Sequence, residues 1–157
     1  MKADSYDKLA HASVIGADVT YIEGGLKESL LKDIHFFDDP DNVDFYGKIK
    51  AKFKSTGEDY SFFDQQTVRF GPTDKTDAAN HKSTWIMRNG QAKIWATLNY
   101  DGSVRIQIHA WDFYNVTPQQ DKDGVYNSIA KFLDPLHRMS GGNPNMQTRA
   151  TWEINIK

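Results

Sequence analysis

The chain has 157 residues, 39% hydrophobic and 25% charged, enough for one globular domain whose core needs no covalent staples. A formal net charge of -2 gives no overall pull toward nucleic acid or anionic lipid, so nucleic-acid binding is disfavoured. Cysteine is absent, which excludes disulfides and thiolate metal sites and leaves the redox compartment unspecified.

The opening MKADSYDKLAHASV lacks the apolar region of a secretory signal, and no apolar run is long enough to span a bilayer. The expectation is no signal peptide and no integral membrane segment, so that any crossing of a membrane depends on a carrier or a fused domain. Residues 1–80 read as a helical and loop-rich part of the domain and residues 81–157 as an antiparallel sheet with one helix.

In chain order, Ser5 is placed to cap a first helix, with Tyr6, Leu9, Ala10 and Val14 following at roughly helical spacing. Gly16 and Gly24-Gly25 bracket Val19 to Ile22, a short strand or extended piece. Leu26, Leu30, Leu31 and Ile34 then share one face of an amphipathic helix expected to end near His35 to Phe37. Pro40 cannot continue that helix, so Asp38-Asp39-Pro40-Asp41-Asn42 is an acidic loop. Phe45 to Phe53 reads as a strand or a short helix, and Gly57 and the run from Phe70 to Thr84 are rich in loop formers.

Trp85 to Pro118 reads as three consecutive strands. Asn89-Gly90 is a strong two-residue hairpin signal and predicts Met87 opposite Ala92 and Trp85 opposite Ile94. For the second turn, a three-residue loop Tyr100-Asp101-Gly102 with a left-handed Gly102 sets Leu98 opposite Val104, Ala96 opposite Ile106 and Ile94 opposite Ile108. That register buries a consistent face, which a two-residue loop would not. Parity then places Trp85, Met87, Ala92, Ile94, Ala96, Leu98, Val104, Ile106, Ile108 and Ala110 inward, with Asp112 and Tyr114 following on the same side. Trp95, Thr97, Arg105, Gln107, His109, Trp111 and Phe113 fall on the other. A carboxylate at the end of a core face needs water, a cation or a donor.

After Pro118, Val125, Tyr126, Ile129, Phe132, Leu133 and Leu136 are at helical spacing, broken at Asp134-Pro135. A loop over Ser140 to Asn145 leads to a final strand in which Met146, Thr148, Ala150, Trp152, Ile154 and Ile156 alternate with polar residues. So regular a strand is expected to pair inside the sheet. The fold class is α+β: an antiparallel sheet with N-terminal helices and one helix before the C-terminal strand.

Most common catalytic signatures are missing. His11, His35, His81, His109 and His137 form neither HxxxH nor HExxH, there is no GxSxG elbow, and neither GxGxxG nor GxxxxGK occurs. What stands out is Asp112-Phe113-Tyr114-Asn115-Val116-Thr117-Pro118, followed by His137-Arg138.

These residues resemble the signature of the colicin M family of bacteriocins, Asp-x-Tyr-Asp-x-x-Pro with a His-Arg pair. Asp112, Tyr114 and Pro118 match, Asn115 stands where that family has a second Asp, and His137-Arg138 comes about twenty residues downstream rather than close behind. The resemblance covers the last third to half of the chain. It implies a curved, half-barrel-like sheet and an antibacterial toxin acting on the lipid-linked peptidoglycan precursor, lipid II. It further implies Mg²⁺, a cognate immunity protein, and secretion or delivery into the periplasm of a target cell. Cleaving a phosphoryl bond calls for positive charge and an oriented water. Asp112 would hold the metal or orient water, Tyr114 would position a phosphate oxygen, and Asn115 could ligate or hydrogen-bond. Arg138 would neutralise charge, and His137 would protonate the leaving oxygen.

Each residue also has a plainer role open to it. Asp112 can be a turn residue bonded to nearby backbone amides, Phe113 and Tyr114 can be sheet aromatics, and His137-Arg138 can be cations at a helix C-terminus. Two other functions stay open: a non-catalytic protein-binding module using Trp95, Trp111, Phe113 and His109, and a toxin of another class such as a nuclease.

Overall fold

The computed structural model describes residues 1–36, 45–71, 87, 89–115 and 145–157. The elements are β1 (Lys2–Ala3), α1 (Tyr6–Val14), β2 (Val19–Ile22), α2 (Gly24–Asp33), β3 (Ile34–Phe36), α3 (Phe45–Thr56), β4 (Tyr60–Phe70), β5 (Asn89–Leu98), β6 (Val104–Asn115) and β7 (Asn145–Ile156). The strands form one curled, half-barrel sheet in the order β1-β2-β7-β6-β5-β4-β3. All pairings from β7 to β3 are antiparallel, while β1, β2 and β7 run parallel to one another. The expected helix between Val125 and Leu136 lies outside the described residues, as does Trp85.

Local chemistry accounts for the helices. The Ser5 hydroxyl accepts from the Lys8 amide at 3.3 Å and starts α1. In α2, Leu26 and Leu30 are buried, but the helix ends at Asp33 rather than continuing to His35. Ile34, His35 and Phe36 instead extend to pair with Phe70, Arg69 and Val68. Residues Phe45 to Thr56 settle as a helix whose buried residues Phe45, Ile49 and Phe53 recur every four positions.

The three helices cover one face of the sheet, where Leu9, Leu30, Ile49, Ile94, Ile106 and Ile108 form part of a continuous core. β7 is tied to α2 by the Trp152 indole, which donates to the Lys27 carbonyl at 2.9 Å. Burying each such aliphatic side chain contributes roughly 1.5–3 kcal/mol, and the strands supply it from alternate positions.

The β5–β6 hairpin has the expected register: Leu98 opposite Val104, Ala96 opposite Ile106 and Ile94 opposite Ile108. Gly102 sits at φ +83°, and the loop closes through the Gly102 amide on the Asn99 carbonyl at 3.1 Å and the Asn99 amide on the Ser103 carbonyl at 2.8 Å. Leu98, expected in the core, is instead exposed at the end of β5, although its partner Val104 is buried. β7 pairs on both sides, with β6 and β2, and buries Met146, Thr148, Ala150 and Trp152.

Asn89-Gly90, expected to turn a hairpin, makes none: both residues belong to β5, pairing with Arg69 and Val68 of β4. Gln91, Ala92 and Ile94 have partners on both sides, in β4 and β6. The first part of the chain, expected to be rich in helix and loop with a short strand or extended piece at Val19 to Ile22, supplies that strand and three others, including the eleven-residue β4. β4 hides its pattern behind a bulge between Phe63 and Gln66, with Gln65 at φ 39°. Ser61 and Phe63 are buried before the bulge, Val68 and Phe70 after it, so the alternation slips by one.

Candidate functional site

Asp112 lies near the C-terminal end of β6, three residues from its last member, Asn115. It pairs with Thr148 of β7, which pairs in turn with Thr20 of β2. Both threonines are completely buried, so their register position faces the core, and Asp112 shares that face while remaining half-buried. A polar row, Thr20, Thr148 and Asp112, therefore crosses three neighbouring strands on a face that is otherwise largely aliphatic.

Each polar group of this row meets a stated partner. The Thr148 hydroxyl donates to the Asp112 carbonyl at 3.2 Å, and the Thr20 hydroxyl donates to the Met146 sulfur at 2.9 Å. The Asp112 carboxylate accepts from the amide of its own neighbour Phe113 at 2.8 Å, the backbone contact open to a turn-forming aspartate.

Of the other sequence-predicted site residues, Tyr114 and Asn115 continue β6, opposite Met146 and Asn145. Tyr114 has the same parity as Asp112. His137 and Arg138 lie outside the described residues, as does Pro118. Among the described residues no group of three or more His, Asp or Glu side chains is placed to hold a metal ion. A Mg²⁺ ion at Asp112 would thus have one described carboxylate, a thin site that the substrate's own phosphates would have to complete.

The opposite face of the sheet is chemically different. Phe62 of β4 stacks on Trp95 of β5 at 5.2 Å between ring centroids, and Trp95 meets the His109 ring of β6 edge-on at 4.9 Å. Lys93 pairs with Asp64 at 3.7 Å, and the Gln107 amide donates to Glu153 at 3.3 Å. Phe113, further along β6, is 61% exposed. No described helix covers this face. Phe62 was invisible in the sequence as part of the row because β4 itself was; the pair Phe62-Phe63, with one ring destined for each face, was the signal available.

No helix among the described residues is long and apolar enough to cross a membrane. The chain matches no family model, no curated protein and no solved structure.

Proposed function

We propose that this chain is an antibacterial effector domain that hydrolyses the phosphoryl linkage of the lipid-linked peptidoglycan precursor, as its resemblance to the colicin M family implies. The observation that supports this best is the position of Asp112: a carboxylate in a core-facing register at the end of a long strand, in line with two buried threonines. Burying charge is costly, so a carboxylate in that register calls for a donor, a cation or water.

In this reading water adds to phosphorus, the bond from phosphorus to the lipid oxygen breaks, and a pyrophosphorylated sugar-peptide leaves. Asp112 orients the water or holds Mg²⁺, Tyr114 and Asn115 position phosphate oxygens, Arg138 offsets charge and His137 protonates the leaving lipid oxygen, which departs as the alcohol. Bound Mg²⁺ would supply a Lewis acid for the phosphoryl oxygens. A cognate immunity protein and delivery into the periplasm belong to the same proposal.

Purified protein incubated with the precursor and Mg²⁺ is expected to release the water-soluble sugar-peptide. Asp112→Ala and Asp112→Asn are expected to lower the rate by about 10²–10⁴-fold while thermal unfolding stays unchanged. No release by the native sequence removes the proposal.

A second reading is favoured by the row Phe62, Trp95 and His109 on the open face: a non-catalytic module that docks a protein partner through exposed aromatics. Expression in the periplasm of a susceptible cell separates the two. Lysis follows from the hydrolase and growth from the docking module.

A further inference from the structure

On the open face of the sheet, β2, β7 and β6 carry a patch unlike the row of rings on β4 to β6. Tyr21, Arg149 and Trp111 are register partners across the three strands, and Val19, Gln147 and Phe113 form the next row on the same face. The residues between them in sequence, among them Thr20, Ala110 and Thr148, are buried on the helix side, so all six side chains belong to the outer face. Neighbouring strands lie about 4.8 Å apart, which sets an aromatic residue on either side of Arg149. Tyr21 is 46% and Phe113 61% exposed, Arg149 is exposed and Trp111 is half-buried. Aromatic residues and Arg are the types enriched at protein interfaces and among their strongest anchors.

Charge decides what kind of surface fits. Arg149 is the one formal charge in the two rows, and its Nε donates to the Gln147 Oε1 at 2.6 Å. That bond holds the guanidinium by one edge, and its two terminal nitrogens remain a fork suited to a carboxylate. The next acid on this face of β7, Glu153, is four residues further along and takes the Gln107 amide at 3.3 Å. A second copy of the chain meeting this patch about a two-fold axis would bring Arg149 against a surface with no acid to receive it. A nucleic-acid strand calls for a series of cations along its phosphates, which one Arg on a chain of net charge -2 does not supply.

We propose that this patch docks a protein partner that presents an Asp or Glu carboxylate between apolar side chains, the carboxylate meeting Arg149 and the apolar groups meeting Tyr21, Trp111 and Phe113. The surface lies on the face opposite Asp112 and apart from the Phe62, Trp95 and His109 row. It needs neither the hydrolase nor the docking reading given above.

The test is selection of a displayed library of short random peptides on the full chain, followed by NMR titration with the peptides recovered. Those peptides are expected to carry Asp or Glu between apolar residues, to shift the Tyr21, Gln147 and Arg149 amides saturably, and to bind more weakly as salt rises. Arg149→Gln and Phe113→Ser are each expected to weaken binding about tenfold or more. Both side chains are exposed, so a loss of binding with an unchanged thermal midpoint cannot be assigned to unfolding. Asp112→Ala and Phe62→Ala are expected to leave binding as it is, which separates the result from both functional readings. Recovery of no peptide, of peptides without an acid, or of acidic peptides that bind Arg149→Gln equally well overturns the proposal. An oligothymidylate or a second copy of the chain that shifts these amides where the peptides do not overturns it in favour of that occupant.

Discussion

The two faces of β6 belong to one strand and answer to different demands. Ile106, Ile108 and Ala110 lie against helices and are essentially removed from solvent, while Arg105, Gln107 and His109 alternate with them on the open side. On the inward side a residue is chosen by volume and apolarity, and interchange is costly in proportion to burial. On the outward side volume is unconstrained, so charge, amides and rings are free to serve recognition. Asp112 is the exception that joins the two: it has the register of the first face and the chemistry of the second.

The largest expected effect comes from exchanging neighbours across this divide. Ile108→Ala should lower unfolding stability by about 2–5 kcal/mol, while His109→Ala, one residue on, should cost a small fraction of that. Equal midpoints for the two in a denaturant titration would break the contrast. A smaller effect is expected for Trp95→Ala, which loses the contacts with Phe62 and His109, worth about 0.5–1.5 kcal/mol beyond area burial. A loss as great as that of Ile108→Ala would show that the open face is structural.

The smallest effect is electrostatic. Hydrogen bonds from the Ser103 hydroxyl and amide hold the Asp101 carboxyl below its usual range. A depressed carboxylate stabilises the hairpin tip above its unfolded value and loses that contribution as pH falls through the lower, folded one. The Ser103 amide resonance should therefore titrate below the ordinary carboxylate range, and Ser103→Ala should move the midpoint of Asp101 up toward 3.8. An unchanged midpoint would show that the Ser103 hydroxyl has no part in it.

What the residues revealed in advance depended on whether local chemistry and tertiary pairing agreed. At Gly102 they did, because one left-handed glycine fixed a register and that register fixed a core face. At Gly90 they did not. A Cβ there would lie 3.0 Å from the Trp111 carbonyl oxygen and 3.5 Å from the Phe70 ring, so the glycine serves close strand packing rather than a turn. β4 escaped notice because its bulge shifts parity midway, and with it went Phe62, the third ring of the aromatic row. Asp112 was legible as a carboxylate at the end of a core face, but the threonines that flank it come from β2 and β7, far away in the chain.

The same bulge governs how the molecule behaves in a crowded solution. Among the described residues β3 covers only Val68, the neighbouring Arg69 and Phe70, leaving the rest of the outer margin of β4 without a strand partner. A straight margin of that length would invite another copy to add its own strand. The left-handed Gln65 interrupts the ladder in its middle, and the charge of Asp64 stands beside the break, so a newcomer finds no long uninterrupted run to zip onto. An irregularity that obscured the strand in the sequence thus protects the folded chain from joining others edge to edge.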